Sequence, residues 1–222
     1  TQGSKLYSVL PADGVGDFTF SRNSAATRIN KDGLIETVAV GKSRLNYPLI
    51  DGVVNGCPSH LLEPTRLQLI PYSEDFENSD WTKNAGTTIT NNYATSPDGT
   101  LNASRYLGTG ASGLGDKFTL SSASYTLSFY VKSNTSENQF CALLGDSSQS
   151  SGDLLVTTEW KRISHTFTGS GLSNKTNGIF RDSSNNDIDI LIYGAQLEQG
   201  SYVTSYIPNY GTSAGITRSA ET

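Results

Sequence analysis

Ser124-Tyr125-Thr126-Leu127-Ser128-Phe129-Tyr130-Val131-Lys132 is the stretch that decides the fold class of this chain. On an extended backbone Tyr125, Leu127, Phe129 and Val131 fall on one side, and Ser124, Thr126, Ser128, Tyr130 and Lys132 on the other. Side chains alternate across a strand, so this period of two reads as an antiparallel strand with one face in a core and the other in water.

Neighbouring segments extend the pattern. Trp160-Lys161-Arg162-Ile163-Ser164-His165-Thr166-Phe167-Thr168 is rich in β-branched and aromatic residues and stops at Gly169-Ser170-Gly171. In Ile188-Asp189-Ile190-Leu191-Ile192-Tyr193-Gly194-Ala195-Gln196-Leu197-Glu198, the residues Ile188, Ile190 and Ile192 share a face. Ser96-Pro97-Asp98-Gly99-Thr100 is a turn, because Pro presets φ and Gly tolerates φ > 0. Before Leu67 the signals are less regular. Asp17-Phe18-Thr19-Phe20-Ser21-Arg22 and Gly33-Leu34-Ile35-Glu36-Thr37-Val38, on either side of Asn30-Lys31-Asp32-Gly33, read as a hairpin. Tyr47 to Pro58 carries the Pro and Gly of a loop. No segment has a sustained helical period. The expected fold is therefore all-β, an antiparallel β-sandwich over 67–206 with an N-terminal β-rich extension over 1–66 and a C-terminal linker over 207–222.

Composition agrees, since 22 glycines in 222 residues suit short strands and turns. A net charge of -5 with dispersed Lys and Arg gives no basic patch for nucleic acid. The apolar runs fall far short of the roughly 20 residues that cross a bilayer. The sequence contains no Met, which reads as a fragment or processed product. Cys57 and Cys141 form no CxxC and have only two histidines, His60 and His165, to help them, so a zinc site is not expected; they read first as two buried or half-buried thiols and second as a disulfide pair.

The order of blocks Gln68 to Phe76, Trp81, Tyr125 to Lys132, Trp160 to Thr168 and Ile192 to Glu198 resembles the jelly-roll carbohydrate-binding modules found beside glycan-degrading enzymes. Phe20 to Arg28, Gly33 to Ile35, Leu61 to Arg66, Tyr72 to Phe76 and Tyr202 to Pro208 resemble segments of phage and prophage virion proteins. Thr217-Arg218-Ser219-Ala220 looks like their continuation. The resemblance implies a jelly roll, a polysaccharide or cell-surface glycan as ligand, other virion proteins as partners, a homotrimer, and a place on the virion surface.

Individual residues carry these expectations alongside plainer ones. Tyr130, on the face opposite the apolar row, is the expected stacking platform, with Lys132, Arg162 and Asn134 as hydrogen-bond donors to sugar hydroxyls. Asn138 and Gln139 lie nearby; for all of these a solvated face is the plainer reading. Trp160 is a second platform candidate and Trp81 a third, although a sandwich Trp more often fills the core. Glu74, Asp75, Glu77 and Glu198 are placed where the resembled modules often hold a structural calcium, and their hard oxygens suit that ion. No nucleophile elbow, phosphate loop or HExxH is present, so the chain reads as non-enzymatic. The functional classes stand in the order glycan-binding virion module, purely structural virion component, and polysaccharide lyase or hydrolase.

Overall fold

The computed structural model describes residues 20–50, 52–184 and 186–222. Its strands form a jelly-roll sandwich, and no helix occurs among the described residues. One sheet has the central order Lys161–Thr168, Ser124–Ser133, Ile188–Gln199, Leu101–Gly108, Thr87–Thr95. The facing sheet runs Gln149–Ser150, Gln139–Gly145, Lys175–Arg181, Gly113–Phe118, Thr82–Lys83. From Gly113 onward the chain passes repeatedly between the sheets, and every pairing is antiparallel.

The alternating row fills the space between the sheets. Leu127, Phe129 and Val131 are fully buried beside Leu114, Leu143 and Ile179. Trp81 belongs to this core: its ring packs on Phe76 and Phe129, and its indole N–H donates to the Tyr72 carbonyl at 2.9 Å. Cys141 is buried there as well, whereas Cys57 is exposed, contrary to expectation, on the Pro-Gly loop.

A bulge governs the central strand Ile188–Gln199. Its pairing with Ser124–Ser133 slips between Ser128 and Tyr130, so that Gln196 and Tyr193 oppose residues only two apart. The extra residue falls by Gly194, whose φ is 59°, in the left-handed region. Parity therefore reverses: Ile188, Ile190 and Ile192 enter the core before the bulge, and Ala195 and Leu197 after it. Tyr193, Gln196 and Glu198 are turned to the other side.

That other side is not wet, and here the expectation fails. Thr126, Ser128, Gln196 and Glu198 are almost fully buried. They lie under a second layer built from residues 20–66 and the C-terminal stretch. The hairpin in that layer pairs Ala26–Ile29 with Ile35–Val38. Its first strand thus lies later than the expected 17–22 segment, of which residues 17–19 lie outside the described residues. Ile35 N–H donates to the Pro97 carbonyl at 2.9 Å, and the Thr27 hydroxyl to the Tyr206 carbonyl. The 207–222 stretch is likewise not a linker within this fold, because Ile216–Arg218 pairs with Arg66–Gln68, and Gln68 in turn opposes Glu198.

Gly194 tests the bulge. A Cβ there would sit 3.2 Å from the Tyr130 and Tyr206 rings and force an L residue into positive φ. Gly194→Ala is expected to lower unfolding free energy by about 1–2 kcal/mol in urea titrations. An unchanged midpoint would remove the bulge from the account of this sheet.

Candidate functional site

Where the covering layer ends, the outer face of the first sheet opens into a groove of about 730 Å³. Its floor comes from Tyr130 and Arg162 of the two paired strands, and Trp160 stands just before the second of them. Its opposite wall comes from Asn46 and Tyr47 of the covering layer. The Leu49–Ile50 and Val53–Val54 hairpin closes one side, with Gly33 packed against Leu49 and Val54.

Three residues singled out from the sequence thus converge, but in altered roles. Tyr130 is half-buried, with the Arg162 guanidinium 5.1 Å above its ring and the Tyr193 and Tyr206 rings at 6.1 and 6.2 Å. It is a fixed part of the floor and not an open platform. Arg162 donates to the Thr204 carbonyl at 2.6 Å and the Ser128 hydroxyl at 3.0 Å, which commits most of its fork to the fold. Trp160 is held by one edge: its indole N–H donates to the Thr95 carbonyl at 3.2 Å, and the rest of the half-buried ring lines the groove. Lys132 falls outside the groove lining. Asn134 is spent on Asp189 at 3.0 Å, and Gln139 bonds the Asp189 backbone. Asp189 is also gripped by Arg105 through two hydrogen bonds at 2.7 and 2.8 Å, and these hold its carboxyl below the usual range. Asn46 and Tyr47 were missed because their position depends on the covering layer, which sequence periodicity does not reveal.

The four carboxylates considered for calcium do not form one ligand set. Glu198 is fully buried on the covered face, where its oxygens accept from Thr204 N–H at 2.8 Å, the Thr204 hydroxyl at 2.6 Å and the Gln196 amide at 2.8 Å. Arg66 pairs with it at 3.3 Å. Glu74, Asp75 and Glu77 lie together elsewhere, beside a second cleft. Among the described residues no group of three or more His, Cys, Asp or Glu side chains has a metal-holding arrangement.

Glu74 has another role. Its Oε1 accepts hydroxyls from Tyr206 at 2.9 Å and from Tyr193 and Tyr210 at 3.2 Å. Tyr193 also lies 3.1 Å from Asp98 Oδ2, so its single proton serves one carboxylate at a time. Asn102 donates to both acids, at 3.3 and 3.0 Å. Burial raises the Glu74 pKa above the ordinary carboxylate range, the tyrosine hydroxyls oppose that rise, and the Asp98 charge adds to it.

No family model matches the sequence, and neither does any curated protein. Solved structures do show similarity of fold. The CBM22-1 xylan-binding domain from Paenibacillus barcinonensis Xyn10C is 13% identical, with 62% of this chain and 94% of that one covered and a TM-score of 0.46. TmCBM61 in complex with β-1,4-galactotriose is 12% identical, with 60% and 99% covered and a TM-score of 0.42. The enzymatically active domain of bacteriophage CBA120 tailspike protein 4 is 13% identical, with 59% and 21% covered and a TM-score of 0.38.

Glu74→Gln isolates the acid's charge while keeping an acceptor for the tyrosines. A carboxyl whose folded pKa is raised stabilises the fold fully below its unfolded value and loses that contribution as pH rises through the folded value. As pH rises from the unfolded carboxylate value near ~4 through the raised folded value, urea unfolding should therefore shift progressively in favour of Glu74→Gln over the parent. Parallel stability profiles would show that the buried charge carries no penalty.

Proposed function

We propose that this chain is a non-catalytic glycan-binding module and that the groove beside Trp160 is its binding site. The observation that carries this reading is the convergence of Trp160, Tyr130 and Tyr47 with the polar side chains of Asn46, Asp32 and Lys161 in one groove of about 730 Å³. That volume suits a small-molecule or oligosaccharide segment. An indole face attracts the polarised C–H bonds of a pyranose, and the amide, carboxylate and ammonium groups offer both acceptors and donors to its hydroxyls. Trp160 takes the platform role, since its N–H is already anchored and Tyr130 is covered by Arg162.

The resemblance of Phe20 to Arg28, Leu61 to Arg66 and Tyr202 to Pro208 to phage and prophage segments supports a setting on a virion surface. There, repeated copies, in a trimer for instance, would contact a host polysaccharide. A purely structural virion component is the competing reading. It is favoured by the extensive burial of the sheet face that an open glycan platform would use.

One experiment separates the two. The full chain is titrated against a panel of bacterial surface polysaccharides by affinity electrophoresis and calorimetry. The glycan reading expects binding in the millimolar to micromolar range and about tenfold weakening in Trp160→Ala, with a smaller loss in Tyr47→Ala. Absence of binding to every glycan, or Trp160→Ala and Tyr47→Ala variants that fold and bind as the parent does, sinks the groove as a sugar site.

A further inference from the structure

The second cleft differs in chemistry from the groove. It has a volume of about 660 Å³ and is walled by Tyr72, Glu74, Asp75, Glu77, Asn102 and Tyr210, together with further amides. No lysine, arginine or histidine is found among the described residues that line it.

Its most unusual member is Tyr210, a residue 74% exposed and yet held in place. Its hydroxyl donates to Glu74, its backbone bridges to Tyr72, and the following Gly211 N–H donates to the Pro71 carbonyl at 2.7 Å. Asn209 braces the same turn through Thr212 in both directions at 2.9 Å. The turn thus fixes the backbone at Tyr210, and the hydroxyl bond to Glu74 holds the ring largely in water.

The hydrogen-bond inventory points the same way. Asp75 Oδ1 accepts from Asn91 at 2.6 Å, but its second oxygen and the Glu77 carboxylate have no protein donor among the described residues. The cleft therefore offers surplus acceptors and a presented aromatic face. An ammonium group has three donors and no acceptor, and it is drawn both to carboxylates and to the face of an aromatic ring. A carboxylate-bearing ligand meets like charge here.

We propose that this cleft is a second saccharide site, selective for a sugar unit carrying a free amine, with Tyr210 as its platform and Asp75 and Glu77 as acceptors for the ammonium. The proposal rests on the glycan-binding reading but uses different residues from the Trp160 groove.

The test is calorimetric titration of the full chain, below neutral pH where the amine is protonated, with β-linked glucosamine oligomers, their N-acetylated counterparts and uronic acid oligomers of equal length. Glucosamine oligomers are expected to bind, N-acetylated ones about tenfold more weakly, and uronic acid oligomers not at all. Tyr210→Ala should weaken glucosamine binding about tenfold without changing net charge, which distinguishes the site from general attraction to an acidic protein. Glu77→Gln, at an exposed position, should weaken it about threefold and guards against a folding defect in the first variant. The series is repeated in a Trp160→Ala background, which removes the groove's contribution to the titration, so failure of the groove and failure of this cleft are read separately. Equal affinity for the N-acetylated oligomers, or undiminished binding in both cleft variants, overturns the proposal. A lysine oligopeptide that binds as tightly as the glucosamine oligomers overturns the assignment to a sugar.

Discussion

A buried cluster of arginines and glutamates holds the covering layer on the sandwich, and the Trp160 groove, walled by that layer, depends on it. Arg22, Arg44 and Arg218 are each at most 2% exposed. Arg44 donates to Glu63 at 2.9 Å, to Glu221 at 2.7 Å, to the Thr27 carbonyl at 2.6 Å and to the Ser205 hydroxyl at 2.7 Å. Arg22 reaches Glu221 at 3.1 Å, and Arg218 reaches Glu63 at 3.0 Å and the Pro64 carbonyl at 2.7 Å. Glu221 Oε2 in turn accepts the Glu63 N–H at 2.9 Å. Residues near the two ends of the described chain are thereby tied to one another and to the Thr204–Ser205 segment over the sheet. Burial alone would raise the Glu63 pKa, but Arg218, the Ser205 hydrogen bonds and Arg44 together bring it below the ordinary value. Replacing a whole buried charge set by apolar groups can be neutral, whereas removing one partner costs about 3–5 kcal/mol. What such a cluster supplies is register: the layer fits in one place, where every charge finds its partner.

That register explains a sheet face made of polar residues yet shut off from water. Ser128, Gln196 and Glu198 would hydrate readily on a free sheet. Under the layer each has a partner instead: Arg162 donates to Ser128, Gln196 accepts from Ile207 N–H at 2.7 Å, and Thr204 donates to Glu198. The sandwich thus has two interiors, an apolar one between its sheets and a polar one beneath the cover. The Trp160 groove opens at the edge of the second interior. The Tyr210 cleft lies near Tyr193 and Tyr206, which reach out from that interior to Glu74. The groove carries Lys161 and Arg162 alongside Asp32 and Glu159, whereas the cleft has, besides its tyrosines, only acids and amides.

The first interior was legible because alternation in Tyr125 to Lys132 is a direct statement about which atoms avoid water. The second was not, for a physical reason. Arg22, Arg44 and Arg218 look like any surface arginine until carboxylates distant in the chain are brought beside them, and no periodicity marks that encounter. Tyr130 was therefore placed in water by alternation and in a wall by the cover. The Gly194 bulge was half legible: a Gly after three alternating isoleucines signals a break in the ladder, but not that Gln196 and Glu198 would change sides. Tyr210 gave no signal, since its significance lies in Glu74, which only the fold sets beside it.

The anchoring of the two aromatic platforms bears on how firmly such a protein can hold a glycan. A free surface Trp or Tyr loses rotamer freedom when a sugar settles on it, at a cost of about 0.5–1.5 kcal/mol per side chain, comparable to the stacking gain itself. Trp160 tied to Thr95 and Tyr210 tied to Glu74 have already lost most of that freedom in the unliganded fold. The small stacking term then survives as net affinity instead of cancelling. It stays small, however, so on the proposed reading a single site of either kind would hold a sugar only briefly. On that same reading, two sites on one chain, and several chains side by side, would convert later contacts into intramolecular events at high effective concentration. Rigid platforms matter most in that regime, because the geometry that lets one site engage must leave the others within reach of the same polymer.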